Sequence, residues 1–202
     1  MPLGIDAFAL VQFHDKCLAE PRWPATLPAT SPDGVWHYIE HNHRCNTLLW
    51  EEEDLARRRD VPDGEIAANK RAIDGYNQKR NDAIERIDEI LMSALASVTL
   101  KATAALNSET AGAMIDRLSI LSLKLFHMCQ QTQRQDASAE HIEACTQKLA
   151  RLTEQRTDLQ RCLDALLSAA ERGEAHFKVY RQFKMYNDPN LNPQLYGRKP
   201  RN

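Results

Sequence analysis

The chain has 202 residues, of which 43% are hydrophobic and 27% charged, a balance typical of folded globular proteins and not of disordered ones. Its formal net charge of −2 provides no global positive field, so we expect no nucleic-acid partner. The five cysteines form no C-x-x-C pair, which argues against a zinc ribbon and a disulfide framework. No apolar run approaches the roughly 18 residues of a membrane span, and no signal peptide is predicted, so we expect a cytoplasmic protein.

The composition predicts an all-α fold, because Ala, Leu, Gln, Glu and Arg are abundant and glycines are few. We expect one helical domain over 1–202, an antiparallel bundle of about five or six helices with a long third helix and an irregular C-terminal tail. Its expected parts are an N-terminal helix (5–20) with a Pro-rich connector over 1–33, a hairpin of helices two (34–59) and three (65–106) over 34–106, a hairpin of helices four and five over 108–173, and a last helix (175–186) with the tail over 174–202.

Helix boundaries are marked by capping residues and breakers. Ser31-Pro32-Asp33 predicts the start of helix two, and Val61-Pro62-Asp63-Gly64 predicts the turn before helix three. Asn107-Ser108 predicts the start of helix four, and Ser138 that of helix five. Gly173 predicts the end of helix five, because a glycine after the last turn adopts the left-handed conformation freely.

Polar residues form a stripe on helix two and another on helix three. Steps of three and four place on one face of helix two Trp36, Ile39, His43, Asn46, Trp50, Glu53 and Arg57. On helix three the corresponding group is Lys70, Asp74, Asn77, Arg80, Asn81 and Asp82. A solvated face is one interpretation of these stripes. The tryptophan within the first stripe favours a partly buried cleft instead.

If the chain doubles back near Pro62, residues whose numbers sum to roughly 124 lie side by side. Glu53 and Asp54 are then expected near Lys70 and Asp74. By the same register, His43 and Asn46 are expected near Gln78, Asn81 and Asp82. The two stripes would therefore face each other across one cleft.

The chemistry of these residues indicates an anionic ligand. Guanidinium and ammonium groups suit phosphate and carboxylate, and an imidazole can act as acid or base near neutral pH. The predicted substrate-binding residues are Asn46, Trp50, Arg57, Lys70, Asp74, Asn77 and Arg80. The candidate catalytic residues are His43, Glu53, Asp54 and Asp82. For His43 a hydrogen-bonded core position is the alternative, and the sequence identifies neither a metal-ligand set nor a cofactor.

Two metal-site interpretations can be compared with the pattern. Glu40 and His43 have the E-x-x-H spacing of di-metal bundles, but a second such motif is missing from the sequence. The paired carboxylates Glu51/Asp54 and Glu85/Asp88 resemble those of an all-α nucleotide pyrophosphatase. Residue 54 should face a position about 22 Å from Glu85, so only a second subunit could complete that site.

The same residues carry a family resemblance. The segments 42–57 and 70–82, with the blocks 115–124 and 180–188, resemble the signature of an uncharacterised bacterial family, domain of unknown function 4254. The resemblance implies a bacterial cytosolic protein and, from the genes near which such proteins are encoded, a part in the synthesis of lipopolysaccharide and other surface glycans. It supplies no established catalytic residues.

Three functions therefore remain open. The first is binding of a phosphorylated sugar or nucleotide sugar in the cleft, where Arg57, Lys70 and Arg80 would converge. The second is a non-catalytic adaptor for glycan-assembly enzymes, in which every polar residue is paired and no cavity remains. The third is a metal-dependent phosphohydrolase with clustered carboxylates. Homo-oligomer formation is compatible with all three.

Overall fold

The structure is a computed structural model that describes residues 3–25, 34–181 and 184–195. In that part of the chain five helices pack into one all-α bundle, which confirms the predicted fold class. They are α1 (Ala7–Ala19), α2 (Val35–Leu55), α3 (Asp63–Ala94), α4 (Ala111–Thr132) and α5 (Ala139–Glu171). The predicted Ser31-Pro32-Asp33 helix start lies outside the described residues.

Side-chain caps explain where three of the helices begin. Asp6, Thr110 and Ser138 each accept a hydrogen bond from the backbone N–H three residues later, at the start of α1, α4 and α5. The predicted cap at Ser138 is confirmed. Helix four begins at Thr110 and not at Asn107-Ser108, so that prediction was wrong by a few residues. Gly173 follows α5 with φ +67°, as its position predicted.

The third helix is shorter than predicted, because it ends at Ala94 and not at residue 106. Leu91 is its last buried residue, and the side chains just beyond it face solvent. The backbone after it pairs with the segment that follows α5: the N–H groups of Lys101 and Ala105 donate to the carbonyls of Gly173 and Glu174. These long-range bonds replace the helical ones, so two short parallel strands form, β1 (Ala105–Leu106) and β2 (Ala175–His176).

The predicted last helix over 175–186 was also wrong. Its first two residues form β2. The described part of the tail contains one short 3₁₀ helix, Met185–Asn187. Phe177 is buried and anchors the chain after β2. Helix two ends at Leu55, four residues before the predicted Arg59, where the N–H of Ala56 closes the last turn on the carbonyl of Glu52.

Contacts between side chains establish the directions of the helices. In the α2–α3 hairpin, Asn69 donates to Glu52 and Arg58 pairs with Glu65, so the two helices are antiparallel. Helices α2 and α4 run parallel, because Asn42 contacts Asp116 and Trp50 contacts His127, with similar offsets. Helix α3 thus lies antiparallel to both of its neighbours, as the contact of Asp88 with Gly112 requires.

The core lies where α1, α2, α3, α4 and α5 meet. Its fully buried aliphatic side chains include Leu10, Ile39, Ile87, Ile115 and Leu163. Each such side chain contributes roughly 1.5–3 kcal/mol when removed from water. Among the described residues, no helix combines the length and apolarity required to cross a membrane.

Candidate ligand-binding site

A buried polar network joins α2 to α4 next to the core. Asp116 Oδ1 accepts hydrogen bonds from Asn42 Nδ2 (2.8 Å) and Asn46 Nδ2 (2.9 Å). Asn46 Nδ2 is also 3.0 Å from the hydroxyl of Ser119, which in turn lies 2.8 Å from His43 Nδ1. All five residues are buried. Because unpaired polar groups are costly in such an environment, the network fixes the register of α2 against α4.

His43 is a core residue on the inner side of this network. Its ring stacks on Trp23 at 5.4 Å and lies 4.5 Å from the ring of His14. Burial lowers the pKa of His43 to about 3, and burial also lowers the pKa of His14. The imidazole of His43 is therefore neutral at pH 7.

Arg80 of α3 lies at the edge of the network. Its Nε is 3.9 Å from Asp116 Oδ1, at the outer limit of an ion pair, and is buried without a hydrogen-bond partner. The side chain is 26% exposed, so part of the guanidinium reaches solvent. A guanidinium has five N–H donors, which makes Arg80 a cation whose hydrogen-bonding capacity is largely unused within the described chain.

Arg80 lines a cavity of about 440 Å³ between α2, α3 and α4, which we call the central cavity. Its lining comprises Asn46, Leu49, Trp50, Glu53 and Asp54 from α2, Arg57 just after α2, Asn77 and Arg80 from α3, and Ile120 and Leu123 from α4. The α2 stripe thus passes from the buried core at His43 to an open cavity one turn later. The cleft expected from the sequence is present, with a floor supplied by α4.

The residues predicted to bind ligand divide between this cavity and a second one. The second cavity, about 330 Å³ in volume, lies between α3 and the tail; its lining is Lys70, Asp74, Asn77, Arg80, Asn81, Lys184 and Tyr186. We call it the α3–tail cavity. Asn77 and Arg80 line both cavities, so the two are neighbours.

A third cavity of about 580 Å³ adjoins the central cavity at Trp50 and Asp54, which line both. Its other walls are Lys124, His127, Met128 and Gln131 of α4, and Lys148, Arg151, Leu152 and Gln155 of α5. We call it the α4–α5 cavity. The rings of Trp50 and His127 stack at its edge, 4.5 Å apart and with 8° between their planes.

The helices α2 to α5, which form these cavities, fall within one known protein family. A family model described as "Protein of unknown function (DUF4254)" matches residues 36–179. The chain belongs to this family. The matched range includes every residue that lines the central cavity and the α4–α5 cavity. No curated protein and no solved structure matches the chain.

Within this DUF4254 chain, seven of the predicted site residues line the central cavity: Asn46, Trp50, Glu53, Asp54, Arg57, Asn77 and Arg80. Lys70 and Asp74 do not, because they form an ion pair of 3.1 Å within α3 and line the α3–tail cavity. Glu53 likewise pairs locally, with Arg57 just beyond the end of α2, at 2.6 Å. The prediction that Glu53, Asp54, Lys70 and Asp74 line one cleft was therefore wrong, although the hydrogen bond of Asn69 to Glu52 is close to the predicted hairpin register.

The predicted grouping of His43 with Asp82 was wrong as well. His43 points away from α3, toward α1 and α4, where it contacts His14 and Ser119. Asp82 is exposed and accepts a hydrogen bond from Gln78 on its own helix. The predicted register of the α2–α3 hairpin was close to the observed one. The direction of a side chain also depends on the other helices that surround it, and the hairpin prediction did not include α1 and α4.

Residues of α4 were missed as partners of α2. Asp116 binds Asn42 and Asn46 of α2, although no residue of α4 was among the predicted site residues. Asp116 and Ser119 lie in a block that carried the family resemblance, which was the one available signal. Lys124 ends the same block, whereas Lys148 and Arg151 gave no signal, since they resemble ordinary surface residues in sequence.

The metal-site interpretations are not favoured by the geometry. Glu40 pairs with Arg44, and Asp88 accepts a hydrogen bond from the N–H of Gly112 at the start of α4. Across residues 3–25, 34–181 and 184–195, no group of three or more His, Cys, Asp or Glu side chains is arranged to hold a metal ion.

Proposed function

We propose that this protein binds a phosphorylated sugar or a nucleotide sugar in the central cavity. Arg57 and Arg80 supply positive charge for a phosphate, and guanidinium groups match phosphate oxygens with two parallel donors. The amide of Asn77 and the carboxylates of Glu53 and Asp54 line the same cavity and can bind sugar hydroxyls. A volume of about 440 Å³ lies within the range of small-molecule sites.

The observation that carries this proposal is the state of Arg80. Its guanidinium has one distant carboxylate partner, Asp116, and makes no hydrogen bond to any described residue. Asp116 Oδ1 already accepts hydrogen bonds from two asparagine amides and lies 3.9 Å from Arg80 Nε, too far for a hydrogen bond. A half-buried cation in this position is stabilised by an anionic ligand that accepts its remaining hydrogen bonds.

If the bound ligand also reacts, Glu53 and Asp54 are the candidate groups within the cavity that can accept or donate a proton. His43 is connected to the cavity only through Ser119 and Asn46. We therefore assign His43 a structural role in positioning Asn46. Asp82 has no role in this proposal.

The proposed biological setting is the bacterial cytoplasm, in the synthesis of lipopolysaccharide or another surface polysaccharide. This part rests on the family to which the chain belongs and on the setting that the resemblance implies. Its partners would be glycan-assembly enzymes. The ligand chemistry proposed for the cavity is that of the activated sugars such enzymes consume.

The adaptor hypothesis makes a different structural prediction, namely paired polar residues and no cavity. The central cavity and the unused donors of Arg80 favour ligand binding over this alternative. The phosphohydrolase hypothesis requires clustered carboxylates, and the described residues offer no such group for a metal ion. Neither alternative is supported by a specific observation.

The proposal is tested by isothermal calorimetry and thermal unfolding with glucose 1-phosphate, UDP-glucose, glucose and inorganic phosphate. A ligand at 100 times its dissociation constant should add about 2.7 kcal/mol of stability. For a chain of this size that corresponds to a rise in Tm of roughly 5–10 °C. We expect the phosphorylated sugar or UDP-glucose to bind, and glucose alone not to bind.

Arg57→Gln and Arg80→Gln should each weaken this binding by about tenfold or more, because each removes a charged donor. Arg117→Gln is the matched control, since Arg117 is an exposed arginine paired with Glu109 and lines none of the three cavities. Equal affinities in all three variants, or no response to any phosphorylated sugar, would refute the central-cavity proposal.

A further inference from the structure

The α4–α5 cavity has a composition different from that of the central cavity. Apolar and aromatic side chains, among them His127, Met128 and Leu152, form much of its lining, and the amides of Gln131 and Gln155 stand between them. Three bases complete the wall. Its volume of about 580 Å³ is larger than that of the central cavity and is typical of sites for whole cofactors or substrates.

Lys124, Lys148 and Arg151 are the three bases, and the described part of the chain offers them no carboxylate partner. None of them makes a side-chain hydrogen bond or ion pair with another residue in the described ranges, whereas Arg117 and Arg161 on the same two helices pair with Glu109 and Asp158. Asp54 is the one acidic side chain in the lining. The excess of positive charge at this cavity therefore attracts an anion.

The aromatic part of the cavity indicates what the anion carries. His127 is held flat against Trp50, and burial lowers its pKa, so its ring is neutral at pH 7. A planar base packs on such a surface, and the amides of Gln131 and Gln155 can bind its polar edge. The carbonyl oxygen of Gln131 already accepts a hydrogen bond from Arg134, so its N–H donors and the amide of Gln155 are the groups that a base edge would meet, whereas an aliphatic chain would use only the apolar surface.

We propose that the α4–α5 cavity binds the nucleoside diphosphate part of a nucleotide sugar, whose sugar then occupies the central cavity. The nucleobase lies against His127, Met128 and Leu152, and the diphosphate extends from Lys124, Lys148 and Arg151 toward Arg57 and Arg80, which bind the phosphate next to the sugar. Lys124 is one helical turn from Ile120, which lines the central cavity, so the phosphates lead from one cavity to the other. This inference rests on the proposed function and names its ligand class.

The test is calorimetric titration of the full chain with UDP, ADP, GDP and CDP, and with UDP-glucose and glucose 1-phosphate. The informative variant is Lys148→Gln/Arg151→Gln, because both side chains are exposed and their loss should leave the fold intact. The control is Arg117→Gln/Arg161→Gln, which makes the same change in charge on α4 and α5 outside the cavity.

We expect at least one nucleoside diphosphate to bind, and the Lys148→Gln/Arg151→Gln variant to bind it at least tenfold more weakly, with the control unchanged. Nucleotide binding that is insensitive to this variant would overturn the inference. So would binding of glucose 1-phosphate that depends on Arg80 without any binding of nucleotides, although the proposed function would then stand.

Two further outcomes separate the two proposals. If the nucleotides bind through Lys148 and Arg151 while Arg57→Gln and Arg80→Gln leave the affinity for UDP-glucose unchanged, the nucleotide site in the α4–α5 cavity stands, and both the proposed function and the placement of the sugar in the central cavity are wrong. If no phosphorylated compound binds, both proposals are wrong.

Discussion

Asn46 Nδ2 lies 2.9 Å from Asp116 Oδ1, joining residues that are 70 positions apart in the chain. This bond links the polar stripe of α2 to α4. It also engages the carboxylate that stands 3.9 Å from Arg80, which leaves that guanidinium available at the cavity. The availability of Arg80 for a ligand thus depends on a hydrogen bond in which Arg80 takes no part.

We predict that Asp116→Ala lowers the free energy of unfolding by about 2–5 kcal/mol, because it leaves buried amide donors of Asn42 and Asn46 unpaired. Asp116→Asn retains an acceptor oxygen and should cost less. Chemical denaturation monitored by circular dichroism measures both. The control Arg117→Ala removes an exposed ion pair and should cost less than about 1 kcal/mol. A loss no larger for Asp116→Ala than for this control would contradict the network's structural role.

Stability should fall as the pH is lowered below about 6.5, owing to the two buried histidines. The pKa of His43 is about 3 in the folded protein and near 6.5 when unfolded, so between these values the unfolded state binds the extra proton. His43 then costs about 1.4 kcal/mol of stability for each pH unit of acidification in this window. The pKa of His14 is shifted in the same direction by burial, next to His43 and Arg156.

Asp88 has the opposite effect on the pH dependence of stability. Burial raises its pKa to about 6, so the folded state takes up its proton before the unfolded state does as the pH falls. The pH range over which Asp88 stabilises the fold is narrower than the range over which His43 destabilises it, so acidification still lowers the stability of the protein. Urea unfolding at a series of pH values from 7.5 to roughly 4 measures the slope. His43→Asn should make that slope shallower even if it lowers stability at pH 7. An unchanged slope would show that His43 is not neutral in the fold.

Gly112→Ala should destabilise the protein by roughly 1–3 kcal/mol, because a Cβ at this position would lie 2.6 Å from the carbonyl oxygen of Ile84 and 2.9 Å from the carboxylate of Asp88. The matched control is Gly75→Ala in the exposed part of α3, where nothing lies within 4 Å. That substitution should stabilise by about 0.5–1 kcal/mol through helix propensity. Thermal unfolding distinguishes the two variants. Changes in Tm of the same sign for both would contradict the close packing of α3 on α4.

Gly173→Ala should lower the free energy of unfolding more than Gly4→Ala does, although both glycines have φ +67°. The left-handed conformation alone costs an alanine roughly 1–2 kcal/mol. At Gly173 an added Cβ would also lie 2.3 Å from the carbonyl oxygen of Thr99, whereas at Gly4 nothing lies within 4 Å. The difference in unfolding free energy between the two variants therefore reports the contact between the α5 terminus and the loop after α3. No difference would mean that this contact does not stabilise the fold.

Periodicity and capping predicted the helices well where each helix buries its own stripe. The cap at Ser138 and the glycine at Gly173 were readable because they act on their own turn of backbone. The pairing of residues 101–107 with 173–176 could not be predicted, since a helix former such as Ala105 gives no local sign that its backbone bonds to a distant segment. That is why helix three was predicted too long and a last helix was predicted at β2.

The residues of the candidate site also divide into those predicted from local sequence and those placed only by tertiary packing. The stripe on α2 and the turn near Pro62 together predicted that Asn46, Trp50, Arg57, Asn77 and Arg80 share one cavity, because helical spacing and a hairpin fix those neighbours. No local pattern places α4 beside α2, since parallel helices with a long intervening segment share no register signal. Asp116, Ser119 and the bases around His127 therefore entered the site only through tertiary packing.

By itself, then, the sequence determined the helices, the turn and the identity of one polar face, all of which depend on residues close together along the chain. Tertiary structure decided which side chains on that face are buried and which remain open. His43 and Arg80 were both candidates for the cleft, yet α1 and α4 enclose the first and leave the second at a cavity. That choice depends on the energy of packing three helices at once, which no single helix encodes.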